Sequence, residues 1–327
     1  ILAATSAAAQ QEATAPSPAS EATVAAQTST GAALPPDGPR DADFSTRGFL
    51  ATLPDPLIRD TAGKPVWNLD AYAFVDGPAP ATVNPSLWRH MRHLKHHGLY
   101  QVNENVWQVR GFDISNMTII RGQSGWIVID PLTGVETAKA AMALVNQTLG
   151  TRPVSAVIYS HSHADHFGGV RGVIDPADVA AGRTRVIAPH GFMEEATSEN
   201  VMAGSAMTRR AAYQFGTGLK PGPTGQMGSG IGAAVSRGTV TLLAPTDTIT
   251  RTGERRKVDG VDLEFQIVSG SEAPSELNVL VEPAKAFLTA EIATCTLHNI
   301  LTPRGTKVRD ARAWAHFLDE AVQDFAP

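Results

Sequence analysis

The chain has 327 residues, 43% of them apolar, a net charge of −5 and a single cysteine, Cys295. That length suffices for one large domain or two small ones, and the acidic balance without any basic block argues against nucleic acid as a partner. One cysteine excludes an internal disulfide and a cysteine-based zinc cluster and reads as a small core residue, and no apolar run is long enough to span a membrane.

In chain order, Ile1–Gln10 is apolar and Ala-rich. It reads as the end of a signal-peptide apolar region running into a small-residue cleavage site around Ala7 to Gln10, which predicts a periplasmic or secreted protein. Gln11–Arg40 is rich in Ala, Ser, Thr and Pro and cannot bury enough surface to offset its ordering entropy. Residues 1–40 are therefore assigned to a leader remnant and a disordered linker, with order expected from near Phe44. The run Phe49–Pro54 and the aromatics Trp67, Tyr72 and Phe74 suggest an extended segment wrapping the domain. Asn84-Pro85-Ser86 opens a predicted helix that continues to His97 and ends at Gly98. His90, His93 and His97 share a face of that helix. No carboxylate joins them, so a solvated basic helix is favoured over a metal face.

Alternating patterns then predict strands over Val106–Val109, Met117–Arg121 and Trp126–Ile129, the last closing on Asp130. Glu136–Leu149 reads as an amphipathic helix, and the β-branched run Val154–Tyr159 as a buried strand. The next stretch carries the chemistry. His161, His163, Asp165 and His166 place three imidazoles and a carboxylate within six residues, just before Gly168-Gly169. A loop at the C-terminal end of a strand is where open α/β layers hold ligands. His161 and His163 alternate along an extended chain and point the same way. They can bind one metal, while Asp165 and His166, where the chain turns, can face a second. Imidazole nitrogen and carboxylate oxygen suit zinc.

After His166 come only His190, His298 and His316. His190 follows a predicted strand, Arg185–Pro189, opens a helix and reads as structural or supporting. His316 lies within a predicted helix, Asp310–Phe325, and reads as structural. A metal with two histidines is under-coordinated, so a carboxylate must join it. Ser271–Glu276, after a predicted strand over Leu263–Val268, offers Glu272 or Glu276. Glu291, after Ala286–Thr289, is a second source. The residues themselves do not choose between these, because most glutamates after strands are solvated.

The pattern His-x-His-x-Asp-His resembles that of the metallo-β-lactamase superfamily at every motif position. Asp70–Phe74, Thr82–Arg89, Ser198–Val201, Ala206–Tyr213 and Thr296–Asn299, together with a glutamate pair in place of a mid-chain histidine, resemble the alkyl sulfatases of that superfamily, over roughly residues 44 to 325. The resemblance implies an αββα sandwich, an α/β fold with two face-to-face sheets and metals at one edge, in a catalytic domain over residues 41–327. It implies two zinc ions, with His161, His163 and Glu272 on the first, Asp165 and His166 on the second, and Glu291 bridging. Asp165, Glu291 and His298 take catalytic roles, and Asn299 and Arg304 bind the sulfate. A guanidinium fork fits a tetrahedral oxyanion.

The resemblance further implies a second-zinc histidine, a helical dimerisation domain and a sterol-carrier-like domain beyond Pro327. The chain is thus expected to be a truncated portion of a homodimeric enzyme, whose activity in isolation is open. Two divalent ions against three carboxylates and one hydroxide sum to about zero, and Arg304 then suits a monoanionic sulfate ester. Metal-bound water, with a pKa of about 7, would supply hydroxide to release alcohol and inorganic sulfate. The rivals are another hydrolase of the fold, acting on a lactam, lactone, thioester or phosphodiester, and an inactive fragment that keeps only the fold.

Overall fold

The computed structural model describes residues 17–294, 296 and 298–325. The predicted leader Ile1–Gln10 and the core role of Cys295 lie outside these residues. Part of the expected disordered linker is helical instead, in α1 (Glu21–Ala33). Ser20 caps it, its side chain accepting from the Thr23 amide, and alanines supply propensity. It buries nothing of its own but leans on the next helices, with Gly31 beside Pro85. A second helix, α2 (Pro39–Thr46), crosses the expected boundary at residue 40, and Asp37 ahead of it faces Arg89, Arg92 and His93. Composition alone missed these tertiary contacts.

The extended segment is real and folded back on itself, as β1 (Phe49–Ala51) and the hairpin β2 (Leu57–Arg59) with β3 (Pro65–Asn68). Trp67 and Tyr72 are buried. Helix α3 (Pro85–Leu94) starts on the predicted Asn84 cap, whose side chain accepts from the amides of Ser86 and Leu87. It is not a solvated helix. Trp88 and Met91 are buried, and His90, His93 and His97 are each half-buried. His97 bonds Thr52 and Asp70 rather than a metal face.

The large sheet has eight strands whose spatial order is their chain order: β1, β4 (Gly98–Asn103), β5 (Val106–Arg110), β6 (Met117–Arg121), β7 (Trp126–Ile129), β8 (Val154–Ile158), β9 (Arg185–Pro189) and β10 (Asp247–Ile249). Neighbours are antiparallel up to β7 and parallel from β7 to β10. The parallel crossovers run through α4 (Val135–Leu149), α5 (Pro176–Ala180), and α6 (Phe192–Thr197) with α7 (Gly204–Phe215). The second sheet is a four-strand antiparallel meander, β11 (Glu254–Val258), β12 (Val261–Ile267), β13 (Leu277–Val281) and β14 (Ala286–Leu288), followed by α8 (Ala311–Asp324).

Side-chain alternation sets the layers. In β7, Trp126 and Val128 face a core shared with Leu144 and Val145 of α4. Ile127 and Ile129 face the opposite way, into a core shared with Leu263 and Phe265 of β12 and with Leu277 and Val279 of β13. A third cluster, Val268, Ile292 and Trp314, seats α8 beside the second sheet. The expected αββα sandwich is thus borne out.

The same topology gathers the site. Parallel strands β7, β8 and β9 end together, at Asp130, Ser160 and His190. Strands β12 and β14 both run antiparallel to β13, so the turn after β12 and the segment after β14 emerge at one end of the second sheet. That end is stapled to the first sheet, where Leu277 N donates to Ser160 O at 2.8 Å and His161 pairs across with Glu276.

Candidate metal centre

The motif loop leaves β8 and turns at once into a short 3₁₀ segment, Ala164–His166. The turn is tight because Gly168 and Gly169 let backbone pass. A Cβ on Gly168 would sit 2.4 Å from Thr133 O, and one on Gly169 would sit 2.2 Å from Pro131 O. His161, His163 and His166 are all buried, and Asp165 is partly so. The rings of His161 and His166 lie 3.9 Å apart between centroids, tilted by 41°, and those of His161 and His163 meet edge-on at 4.8 Å.

Glu272 and Glu291 close the cluster from the second sheet. His161, His163, Glu272 and Glu291 offer ligand atoms within 4.8 Å of one another, as do Asp165, His166 and Glu291. Glu291 belongs to both groups, the position a bridging carboxylate needs. Glu272 Oε2 lies 2.9 Å from His163 Nδ1 and 3.4 Å from His161 Nε2. His161 Nε2, Glu272 Oε2 and His298 Nε2 are buried with no hydrogen-bond partner. Orphaned buried atoms of this kind are costly unless something else satisfies them. A pair of divalent cations fits the donor set, because every converging atom is an imidazole nitrogen or a carboxylate oxygen.

Glu276, the rival of Glu272, turns away. Its Oε2 accepts from the Glu272 and Ala273 amides and from the Ser271 hydroxyl, at 3.0–3.1 Å. It braces the loop that presents Glu272. Burial, with the Glu272 charge beside it, pushes its carboxyl well above the usual range.

Charge is finely set among the ligands. Burial and the neighbouring imidazoles hold His161 well below its ordinary value, so it is neutral and has a lone pair to give. Burial works the same way on His166, but Asp165 and Asp130 outweigh it and push that imidazole well above. For Glu291 burial raises the carboxyl, while the hydrogen bond with His166 and the nearby His298 imidazole more than reverse this and hold it well below. His298 itself is raised: burial opposes its charge, and Glu291 and Glu272 override burial. Its Nε2 stands 3.6 Å from both carboxylates.

Sequence reasoning missed three supporting residues. Asp130 was read only as the end of a strand, yet its Oδ2 is 2.8 Å from His166 Nδ1, and it accepts from Ser160 N and Oγ at 2.7 and 2.6 Å. Its φ of +58° aims it there. Arg309, 5% exposed, donates from Nε to Glu272 O at 2.6 Å and from Nη2 to Glu272 Oε1. Its Nη1 donates to Asn299 O, to Asn299 Oδ1 and to His298 Nδ1. Glu199 reaches the site from a π-helical turn, Ser198–Met202. A signal for Asp130 existed, an acid closing a strand beside a metal loop. None existed for Arg309.

Asn299 and Arg304 line a cavity of about 600 Å³ beside the cluster, together with His163, Asp165 and His298. Asn299 has its amide oxygen occupied by Arg309, and its NH₂ donates to no partner among the described residues. Arg304 Nη1 is 3.9 Å from Glu199 Oε2. The remaining wall mixes apolar side chains, among them Ile114, Met207, Ala211, Phe215, Ile231 and Val235, with polar ones such as Thr208, Gln214, Ser229 and Arg237. His190 is exposed and serves through its backbone, N donating to Ile249 O and O accepting from Ser275 Oγ, while the helix it was expected to open begins at Phe192. His316 is exposed on α8.

A sequence profile described as the metallo-beta-lactamase superfamily matches residues 110–261. The match includes the histidine motif and stops short of Glu272 and Glu291. The chain is 47% identical over 308 residues to a linear primary-alkylsulfatase of a Pseudomonas species, covering 94% of this chain and 46% of that protein. It is 46% identical over 289 residues to the alkyl/aryl-sulfatase BDS1 of Saccharomyces cerevisiae, covering 88% and 45%. It superposes with a TM-score of 0.92 and 45% identity on the stereoselective inverting sec-alkylsulfatase Pisa1 from a Pseudomonas species, over 96% of this chain and 50% of that one. The chain spans about half the length of these relatives.

Proposed function

We propose that this chain, whose residues 110–261 match the metallo-β-lactamase superfamily, hydrolyses alkyl sulfate esters such as dodecyl sulfate to an alcohol and inorganic sulfate. The observation that carries this reading is the cavity. Asn299 and Arg304, the candidate anion-binding side chains, and a set of apolar side chains line one cavity together with the cluster of metal-ligand atoms. The similarity to alkylsulfatases supports it.

Two zinc ions are the proposed cofactors, His161, His163 and Glu272 holding the first, Asp165 and His166 the second, and Glu291 both. When bound, such ions act as Lewis acids and lower the pKa of water toward about 7. The protein's own groups do the rest. Arg304 and the Asn299 NH₂ orient the sulfate. The apolar side chains of the wall take the alkyl chain and exclude water from it. His298 faces Glu272 and Glu291 through Nε2, with Nδ1 occupied by the Arg309 donor. In that tautomer its proton points toward the reacting end of the cavity, placed to be handed to a departing oxygen. Asp165 and Glu291 keep negative charge at the ligand positions at neutral pH.

The experiment is sulfate release from dodecyl sulfate by the purified chain, with and without zinc after chelation. Metal-dependent release supports the reading. Turnover of a lactam or lactone with none of dodecyl sulfate would replace it with another hydrolase of the fold. Hydrolysis in ¹⁸O-water assigns the broken bond: label in the alcohol means attack at carbon, and label only in sulfate means attack at sulfur. Export and a homodimeric state are carried as proposals too, checked by cell fractionation and by light scattering. No helix among the described residues is long and apolar enough to cross a membrane.

A further inference from the structure

A metal-bound imidazole needs a partner on its second nitrogen, which fixes the tautomer and the ring plane. For His166 that partner is Asp130, 2.8 Å from Nδ1. For His161 it is Ser160, whose Oγ is 3.0 Å from Nδ1. His163 differs from both. It turns Nδ1 toward Glu272 Oε2, at 2.9 Å, so Nε2 is the nitrogen left over. That nitrogen is buried without a hydrogen bond. Facing it is the carboxylate of Glu199, with Oε2 at 3.4 Å.

Glu199 is itself an anomaly. It is 5% exposed, and its Oε1 is buried with no partner. A buried carboxylate is expensive unless compensated. Among the described residues its arginine partner is Arg304, 3.9 Å from the same Oε2. It comes from a π-helical turn, a rare conformation that recurs at functional sites. We propose that Glu199 is a positioning residue which accepts a hydrogen bond from His163 Nε2 and so fixes His163 as an Nδ1 ligand of the first metal. Occupation of Nδ1 by a cation forces the imidazole proton onto Nε2. The 3.4 Å approach then becomes a charge-assisted hydrogen bond, and the orphaned nitrogen gains its acceptor. Arg304 holds the other side of the same oxygen. The carboxylate therefore ties the first metal's ligand shell to the anion-binding end of the cavity.

The proposal needs only that the cluster binds metal, and it is tested without substrate. Zinc affinity is measured on the full chain by competition with a chelator, for the wild type, Glu199→Ala and Glu199→Gln. The alanine variant is expected to bind one of its zinc ions about 10- to 100-fold more weakly, the usual effect of losing such a partner. The glutamine variant keeps an acceptor oxygen and should recover most of that loss. Wild-type affinity in a folded Glu199→Ala protein, or a glutamine variant no better than alanine, overturns the proposal. If Glu199→Ala does not fold, ¹⁵N-histidine spectra of the zinc-loaded wild type and Glu199→Gln decide. A slowly exchanging Nε2–H of His163 that moves upfield in the glutamine variant is expected. An Nε2–H that is absent, or unmoved by the substitution, overturns it. Failure of the sulfate-ester reading would leave either result standing.

Discussion

Replacing Arg309 with Met should destabilise the metal-free protein by about 3–5 kcal/mol, because it strands a buried charge. Arg309 and Glu272 are 5% and 3% exposed, and water cannot replace the lost partner. Glu276 is fully buried, and its oxygen accepts the Glu272 amide, so the stranded carboxylate would also face a second acid. At an unfolding entropy of about 2.1 cal/mol/K per residue, each kcal/mol moves the melting temperature of a chain this long by about 1.5 °C, so a fall of about 5–7 °C is expected. Zinc should shrink it. A cation on Glu272 Oε2 returns a positive partner to the stranded carboxylate, and the variant should then lose roughly half as much.

The assay is thermal or denaturant unfolding of wild type, Arg309→Met, Glu272→Gln and the double variant, each with zinc and with chelator. A double-mutant cycle isolates the pair from the Asn299 and His298 contacts of the same guanidinium. A coupling of about 3 kcal/mol without metal is expected, falling when zinc is present. A coupling below about 0.5 kcal/mol, or equal losses with and without zinc, would refute the argument that Arg309 is the standing counter-charge of Glu272.

Glu272→Gln should cost one of the bound ions, whereas Glu276→Gln should keep both and change stability by less than about 1 kcal/mol, since burial and the Glu272 charge already push Glu276 toward its neutral form; elemental analysis and melting curves distinguish them. Asp130→Asn should weaken zinc binding about 10- to 100-fold, because an amide NH₂ facing His166 Nδ1 favours the tautomer with its proton on Nε2, the nitrogen a metal needs. The pH dependence has a definite sign. The His166 pKa is raised in the folded, metal-free chain, so the stability it contributes is full below about pH 6.5 and is lost as pH rises through the higher folded value. Zinc must displace that proton, so apparent affinity should rise by up to about tenfold per pH unit across neutrality. Titrations between pH 6 and 8 that show no dependence would contradict the assignment of His166 as a ligand.

The layers were legible because local pattern and burial agree. Trp126–Ile129 alternates between two cores, and the histidine loop follows a strand that has no freedom to be anything else. The first carboxylate was not legible from the residues alone. Glu272 and Glu276 lie in one short loop, both are buried, and what separates them is which way the backbone amides of residues 272 and 273 point. That depends on β12 pairing with β13 more than on any property of the hexapeptide. Arg309 was invisible for a related reason. It sits 37 residues from Glu272 in sequence and just ahead of the Asp310 cap of α8, and only the docking of that helix, through Trp314 onto Val268 and Ile292, brings it in. The helices of residues 21–46 were missed because their support comes from α3 and not from their own composition.

These failures share a cause, and it explains how the site works. The histidines come from one sheet and the glutamates from the other, and a motif confined to one strand end cannot report its partner's edge. The two edges are held by Leu277 N to Ser160 O and by the His161–Glu276 bridge, contacts immediately beside the ligands themselves. Any slip between the sheets would therefore change the His161–Glu272 separation before it changed anything else in the core. Binding of a metal across that joint would oppose the slip. The cations proposed for chemistry would also act as a clasp between the two halves of the sandwich, and their removal should loosen the joint at Ser160 and Leu277 first. Amide exchange at Leu277, compared with exchange at Val128 in the core of the first sheet, would detect it: chelation should accelerate the former and leave the latter unchanged.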